Sequence, residues 1–116
     1  MGDIVDACGA YAGVDMSQTL RVPNADIGIF TVLPELHTVH YQRRHSAFAL
    51  HDPDMLLWNE ILAVPEGAPR KWLHITGITP QVSTSARVSW QRAIATASAL
   101  GVPISMDFNH RKQLGV

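Results

Sequence analysis

The sequence predicts an α/β fold, in which a small antiparallel β unit precedes a helix and a parallel βαβ unit. Over residues 26–44 apolar side chains recur with a period of two, as they do in antiparallel strands. Strand-like segments at 71–78 and 102–108 flank a long helical stretch. A strand, helix, strand order of this length predicts parallel pairing with a right-handed crossover. The change between the two patterns falls near residue 52.

The composition is that of an ordinary globular domain. The chain has 116 residues, of which 47% are hydrophobic and 16% charged, and its net charge of -1 argues against a nucleic-acid partner. The single cysteine, Cys8, excludes an internal disulfide, and we expect it to be a small core residue. No apolar run approaches the roughly 20 residues of a membrane span, and the acidic start does not resemble a signal peptide. We therefore expect a cytoplasmic protein without a membrane partner.

Residues 1–16 are predicted to contain a short amphipathic helix. Asp3 can cap its amino end, and Gly13 can close its carboxyl end. Its apolar positions follow helical spacing, and they are Ile4, Cys8, Tyr11 and Ala12.

Residues 17–51 are predicted to form the antiparallel β unit. The strands are "DIGIFTVL" (26–33) and "HTVHYQRR" (37–44), joined by the turn "PEL", and "TLRV" (19–22) is a candidate third strand. Because strand side chains alternate, Val39, Tyr41 and Arg43 share one face. Four histidines lie in or near these strands, on differing faces and without the tight spacing of a zinc site, so we predict no metal ligand among them: His37, His40, His45 and His51.

Residues 52–116 are predicted to hold a helix followed by the βαβ unit. Asp52 and Pro53 are a cap and a first helical position for the helix "DMLLWNEIL" (54–62). The crossover helix ends at Gly101, and Ser83-Thr84-Ser85 is a helix cap and not a nucleophile. The helix carries one apolar stripe, made of Ala86, Trp90, Ala93, Ile94, Ala97 and Leu100. We expect the tryptophans to fill the core between helices and sheet, and they are Trp58, Trp72 and Trp90.

Functional residues are expected where the two parallel strands end. Ligands of open α/β sheets bind outside the carboxyl ends of the strands, so segments 76–80 and 107–113 should lie side by side around a ligand. In the second segment Arg111 offers a planar cationic fork that suits a carboxylate or a phosphate. An alternative stays open, in which Arg111 is a surface residue that pairs with Asp107 or with a helix end.

Four stretches of the chain resemble the ribokinase/PfkB-type carbohydrate kinases. "KWLHITGITPQVSTSAR" (71–87) and "GVPISMDFNHRKQL" (101–114) match the order of a strand end "hHhSGIT", a helix and "VSFDxNYRxxLW". Upstream, "VHYQRRHSAFALHDPD" (39–54) is similar to "VxYYRxGSAxSxLxPED", and "GVDMSQTLRVPNADIGIF" (13–30) to "GVDTSxVxRxxxxPTGLYF", of the 2-keto-3-deoxygluconate kinases. The resemblance implies a partial ribokinase-like fold, with one partial kinase domain over the chain and the antiparallel β unit as a lid.

The resemblance implies five substrate-binding residues. In those kinases a tyrosine and an arginine of the lid strand and the arginine of "NYR" hold the sugar acid, and they match Tyr41, Arg43 and Arg111. Ile78 matches a position that lines the sugar pocket. Phe30 replaces a pocket tyrosine, so one hydrogen bond to the sugar is lost. Without the resemblance, Tyr41 would be a half-buried strand aromatic and Ile78 a core residue.

The chain also departs from that pattern. His45 replaces the glycine of "RxGSA" and His110 the tyrosine of "NYR", so the identity of the sugar stays open. The family's glycine-rich sugar-binding stretch and its "GAGD" motif, which supplies the catalytic base and anion hole, do not occur in these 116 residues. "CGAYAGVD" (8–15) has the wrong spacing, so Asp15 is not a base candidate. We predict no catalytic residue here and assign no cofactor-binding residue; we expect ATP and Mg²⁺ in the complete family enzyme and no cofactor for this chain alone.

Two hypotheses remain. In the first, the chain is a truncated sugar kinase of the 2-keto-3-deoxygluconate type, inactive by itself. In the second, it is a non-catalytic module that binds a sugar acid or serves in assembly. In both, open strand edges and apolar faces predict a homo-oligomer that forms through the β lid or the exposed sheet edge.

Overall fold

The computed structural model describes residues 1–112 and divides the chain into two compact units. The first is Met1–His51, and the second begins at Asp52. Within the described residues each unit has one two-stranded sheet, antiparallel in the first and parallel in the second. No helix in this part of the chain is both long enough and apolar enough to cross a membrane.

The first helix, α1 (Gly2–Tyr11), ends as predicted but begins differently. Gly13 adopts a φ of 75°, and the amide of Val14 donates to the carbonyl of Gly9 at 2.9 Å, as at many helix ends with a left-handed glycine. The predicted Asp3 cap is wrong, because no side chain caps the amino end. Asp3 is instead drawn into an ion pair with Arg21 at 2.9 Å.

The predicted core position of Cys8 is also wrong. Helix α1 buries none of its residues, and Cys8 is exposed. Ile4 and Tyr11, which share its apolar face, are 64% and 96% exposed. The helical spacing therefore defines an apolar face, and the structure leaves that face uncovered.

The antiparallel β unit contains two strands, β1 (Ile29–Leu33) and β2 (Thr38–Gln42). A 3₁₀ turn, Pro34–Leu36, joins them, and His37 closes it in a left-handed conformation. The candidate third strand at 19–22 is not formed. Arg21 lies in that segment and bonds to both Asp3 and Asp6 of α1, which attaches the segment to the helix and not to the sheet.

The carboxylates around Arg21 also act on its acid–base equilibrium. The hydrogen bond to Asp6 is the largest cause of a raised pKa of Arg21, followed by the charges of Asp6 and Asp3.

Farther along this unit, a short helix, α2 (Ala47–Leu50), begins where the Ser46 side chain accepts from the amide of Ala49 at 3.3 Å.

The predicted helix over 54–62 is split in two. Asp52 accepts from the amide of Asp54 at 2.9 Å and opens a 3₁₀ turn, Pro53–Met55. An extended Leu56 interrupts the helix, which resumes as α3 (Trp58–Leu62). Both parts lie against α5, through different contacts. Asp54 bonds to Arg92 at 2.6 Å, whereas α3 packs its apolar side on the core.

The crossover is likewise two helices, α4 (Thr79–Val82) and α5 (Thr84–Ala99). Ser83 separates them in an extended conformation, and its hydroxyl accepts from the amide of Ala86 at 3.0 Å. The predicted helix cap is therefore confirmed, but it begins the second of two helices. Gly101 ends α5 with a φ of 67°, as predicted.

Strands β3 (Leu73–Thr76) and β4 (Ile104–Asp107) pair in parallel, which confirms the βαβ prediction. The core between them and the helices contains Leu62, Ala97 and Val102, with Leu73 and Ile104 packed against it. Much of the predicted α5 stripe is buried through small side chains, namely Ala86, Ala93 and Ala97. Leu100, at the end of that stripe, is 48% exposed, because it lies at the last turn of the helix.

The tryptophan prediction is right for Trp58 and wrong for Trp72. Trp58 packs against the core, and Trp90 is half-buried. Trp72 is 67% exposed, and its indole nitrogen donates to the Ser105 hydroxyl at 2.9 Å. Because strand side chains alternate, Leu73 occupies the core side and Trp72 is left on the other.

The carboxyl ends of β3 and β4 approach each other at Gly77. Its amide donates to the carbonyl of Asp107 at 2.8 Å, and the residue is buried. A β-carbon at this position would overlap the backbone carbonyl of Phe108. Only glycine therefore fits without a shift of the main chain.

We predict that Gly77→Ala lowers the free energy of unfolding by about 1–3 kcal/mol, the usual cost of overpacking against atoms that cannot move aside. Urea denaturation followed by tryptophan fluorescence measures this change. Gly28→Ala is the matched control, because its β-carbon would meet other atoms at 3.5 Å or more. Equal stability of the two variants would contradict the close approach.

Candidate functional site

Three of the predicted site residues come together on one face of the β1–β2 pair. Phe30 lies directly opposite Tyr41 in the strand register, and their ring centroids are 6.2 Å apart with an interplanar angle of 42°. The guanidinium carbon of Arg43 lies 4.0 Å from the centroid of the Tyr41 ring. We call Phe30, Tyr41 and Arg43 the aromatic–arginine cluster.

The cluster is open to solvent. Phe30 is 65% exposed and Tyr41 44%, and Arg43 is of intermediate exposure. Cation–π contact with Tyr41 restricts the guanidinium of Arg43, and such contacts contribute about 0.5–1 kcal/mol at exposed sites. The cluster therefore offers two apolar rings, a phenol and a restrained cation on one surface, which suits a ring-shaped ligand with an anionic group.

The same face continues toward the turn with apolar residues. Val32 lies opposite Val39, and they are 55% and 38% exposed. We call these two residues the valine pair. It adds hydrophobic surface beside the cluster and has no polar group of its own to bind a ligand.

The predicted meeting of the two parallel strand ends is confirmed as far as the structure describes it. Thr76 lies beside Asp107 in the register. The carboxamide nitrogen of Asn109 donates to the Thr76 hydroxyl at 3.5 Å, and the backbone amide of Asn109 donates to the Asp107 carboxylate at 3.0 Å. Residue 113, the last of the predicted ligand segment, lies outside the described residues.

Ile78 and Arg111 both belong to this edge. Ile78 is half-buried at the start of α4, and its amide donates to the Thr76 hydroxyl at 3.3 Å. Arg111 is exposed and forms no ion pair or hydrogen bond within residues 1–112. Within the described residues the alternative pairing of Arg111 with Asp107 is not formed, and the Asp107 carboxylate accepts from the backbone amide of Asn109.

Two residues at this edge received no role from the sequence. Asn109 adopts a left-handed backbone with a φ of 43°, and Thr76 accepts from it. The order Asp-x-Asn directly after a strand is a turn signal, because both side chains readily bond to nearby backbone. That signal indicates the turn, but it does not indicate the bond to Thr76 on the other strand.

The described residues also limit other chemistries. Residues 1–112 contain no group of three or more His, Cys, Asp or Glu side chains placed to hold a metal ion. Asp15 accepts from the backbone amide of Ser17 at 2.9 Å, and hydrogen bonds from Ser17 lower the pKa of Asp15. This carboxylate stabilises a turn.

A solved structure resembles the whole chain. The crystal structure of a PfkB protein from Polaromonas sp. JS666 matches 100% of this chain with a TM-score of 0.81 and 23% sequence identity. The chain spans 38% of the length of that protein. No protein-family model matches the chain. The structural match confirms the predicted partial ribokinase-like fold, and at this identity it concerns the fold alone.

We predict that the Arg43 side chain shows ring-current shifts from Tyr41. In NMR spectra its δ-methylene and Nε protons should lie upfield of the usual positions, because the guanidinium lies over the ring face. Tyr41→Leu should remove the upfield shift, and Tyr41→Phe should keep it. An unchanged Arg43 spectrum in Tyr41→Leu would mean that the stacked geometry does not persist in solution.

Proposed function

We propose that this chain is the sugar-binding, lid-bearing part of a PfkB-type carbohydrate kinase of the 2-keto-3-deoxygluconate kinase type. In the family the complete enzyme transfers the γ-phosphate of ATP to a hydroxyl of a sugar acid. The observation that carries the proposal is the aromatic–arginine cluster, which is exposed on the ribbon formed by β1 and β2 in a chain with this fold. Tyr41 and Arg43 of the cluster are the residues that the family pattern assigns to the sugar acid.

The chemistry of the site supports an acidic sugar. Arg43 and Arg111 are permanent cations whose forked donors match a carboxylate, and the phenol of Tyr41 can bond to a hydroxyl. Phe30 supplies an apolar ring where the family pattern has a tyrosine, and Ile78 adds a half-buried apolar side chain. Each unit by itself thus offers a cation for the acid group and an apolar side chain for the carbon skeleton.

We also propose that these residues bind the sugar acid without transferring phosphate by themselves. The residues present do not fit Mg²⁺ and ATP, because the described part has no carboxylate cluster for the ion and the 116 residues hold no "GAGD" motif. Phosphoryl transfer needs a positioned base and charge stabilisation around the moving group. In the complete family enzyme those groups, with ATP and Mg²⁺, come from other segments.

We predict that the 116-residue chain binds 2-keto-3-deoxygluconate in calorimetric titration. Arg43→Ala and Arg111→Ala should each weaken binding by about 10- to 100-fold, because a hydrogen bond to a charged group contributes roughly 1.5–3 kcal/mol. Arg44→Ala and Lys112→Ala are matched controls, since each removes a neighbouring exposed cation. ATP added with the sugar acid should give no phosphorylated product.

Two results would contradict parts of this proposal. Equal losses in the control variants would show that net positive charge, and not the two named arginines, attracts the ligand. ATP-dependent phosphorylation above the blank that disappears in Arg111→Ala would show that the chain is itself a kinase.

A second candidate, an assembly module derived from such a kinase, is favoured by the exposed valine pair. Val32 and Val39 leave apolar surface uncovered next to the cluster, and uncovered apolar surface commonly marks protein contacts. In this candidate the lid serves self-association, and sugar-acid binding is secondary.

We predict that the chain forms a homo-oligomer through the lid at micromolar concentrations. Sedimentation equilibrium should give a mass above that of one chain, and Val32→Glu should shift the equilibrium toward the monomer because it introduces charge into the valine pair. Thr31→Glu places the same charge on the other face of β1 and is the control. A monomeric mass across this range would rule out self-association. Equal effects of the two variants would show that the valine pair is not the contact surface and would favour association through the exposed sheet edge.

A further inference from the structure

We propose that Asn109 is a positioning residue, which holds the segment after β4 so that Arg111 meets the carboxylate of the sugar acid. This inference rests on the proposed function and deepens it. In this proposal Asn109 does not contact the ligand itself. It acts through Arg111, which follows it by two residues.

The backbone at Asn109 turns the chain sharply after the strand. Its φ of 43° lies in the left-handed region, which few residues other than glycine adopt and which asparagine tolerates better than most. Its amide donates to the Asp107 carboxylate at 3.0 Å, so the turn is held from the last residue of β4. The direction in which the chain leaves the sheet is therefore set at Asn109.

The side chain of Asn109 attaches this turn to the neighbouring strand. Its carboxamide nitrogen donates to the Thr76 hydroxyl at 3.5 Å, and the same hydroxyl accepts from the amide of Ile78 at 3.3 Å. Thr76 thus connects the segments that follow both strands. Asn109 is partly buried, in contrast to the exposed His110 and Arg111.

Arg111 depends on this attachment because nothing else described holds it. Within residues 1–112 it forms no ion pair or hydrogen bond, and its side chain is exposed. Binding a ligand through Arg111 orders both its side chain and the segment that carries it, and a main chain that is already fixed lowers the cost of ordering the segment. The bond between Asn109 and Thr76 should therefore affect affinity only through Arg111.

A double-mutant cycle in the 116-residue chain tests this dependence, with 2-keto-3-deoxygluconate as the titrated probe. We expect Asn109→Ala to weaken binding by about three- to tenfold, and by less than about twofold when Arg111 is already alanine, because residues that act as one unit are not additive. Asn109→Gly, which keeps the left-handed turn without strain, should show the same loss. The neutral methyl ester of the sugar acid should bind equally to all four members of the cycle.

Thr76 provides the matched pair of variants. Thr76→Val removes the hydroxyl and should weaken binding as Asn109→Ala does, whereas Thr76→Ser keeps the hydroxyl and should bind like the unmodified chain. Thermal unfolding of each variant confirms that it is folded.

The outcomes separate the inference from the proposed function. If the unmodified chain binds and Arg111→Ala weakens binding, but the Asn109 effect persists in the Arg111→Ala background, the positioning role is wrong and the proposed function stands. If the unmodified chain does not bind the sugar acid, both are overturned. A loss in Thr76→Ser equal to that in Thr76→Val also overturns the positioning role.

Discussion

The close approach of β3 and β4 at their carboxyl ends is the constraint on which the proposed anion site depends. Gly77 allows it, because any side chain there would collide with the main chain at Phe108. The parallel register sets which residues lie side by side at these ends, and the bond from the Gly77 amide to the Asp107 carbonyl continues the pairing beyond it. Once closed, the edge brings Thr76 beside Asp107 and lets Asn109 bond to the Thr76 hydroxyl. The close approach of β3 and β4 therefore sets where the segment that carries Arg111 leaves the sheet.

The β ribbon of the first unit is organised by a different interaction, the cross-strand contact of Phe30 with Tyr41. Aromatic pairs contribute about 0.5–1.5 kcal/mol beyond the area they bury, which matters in a two-stranded ribbon that has little stability of its own. The Tyr41 ring of this pair also stacks against the guanidinium of Arg43. Stability of the ribbon and presentation of the candidate site therefore rest on the same side chains.

Apolar exposure extends beyond the ribbon. Phe108 is 79% exposed and Trp72 67%, whereas the buried core contains mainly alanines with Leu62 and Val102. Such surfaces are typical of contacts with further protein.

The sequence by itself determined the order of the four paired strands, their antiparallel and parallel pairing, and the caps at Gly13, Ser83 and Gly101. The strands and caps are local features, because a period of two residues and a glycine at a helix end act within a few residues of the chain. The pairing follows from the length of each connection, a short turn in one case and a long helical crossover in the other. Most of the candidate site residues were predicted from the motif resemblance. Residue spacing predicted only that Tyr41 and Arg43 share a face and that Arg111 lies at the sheet edge.

The tertiary structure alone decided which apolar faces are covered, where helices break, and how Asn109 is held. Periodicity shows that Cys8 lies on an apolar face and that Trp72 alternates with Leu73, but burial depends on whether another element packs there. The break at Leu56 is likewise absent from the apolar pattern, and it appears only as an extended backbone between the 3₁₀ turn and α3. The bond between Asn109 and Thr76 joins residues 33 positions apart in the sequence, and only the parallel register brings them together.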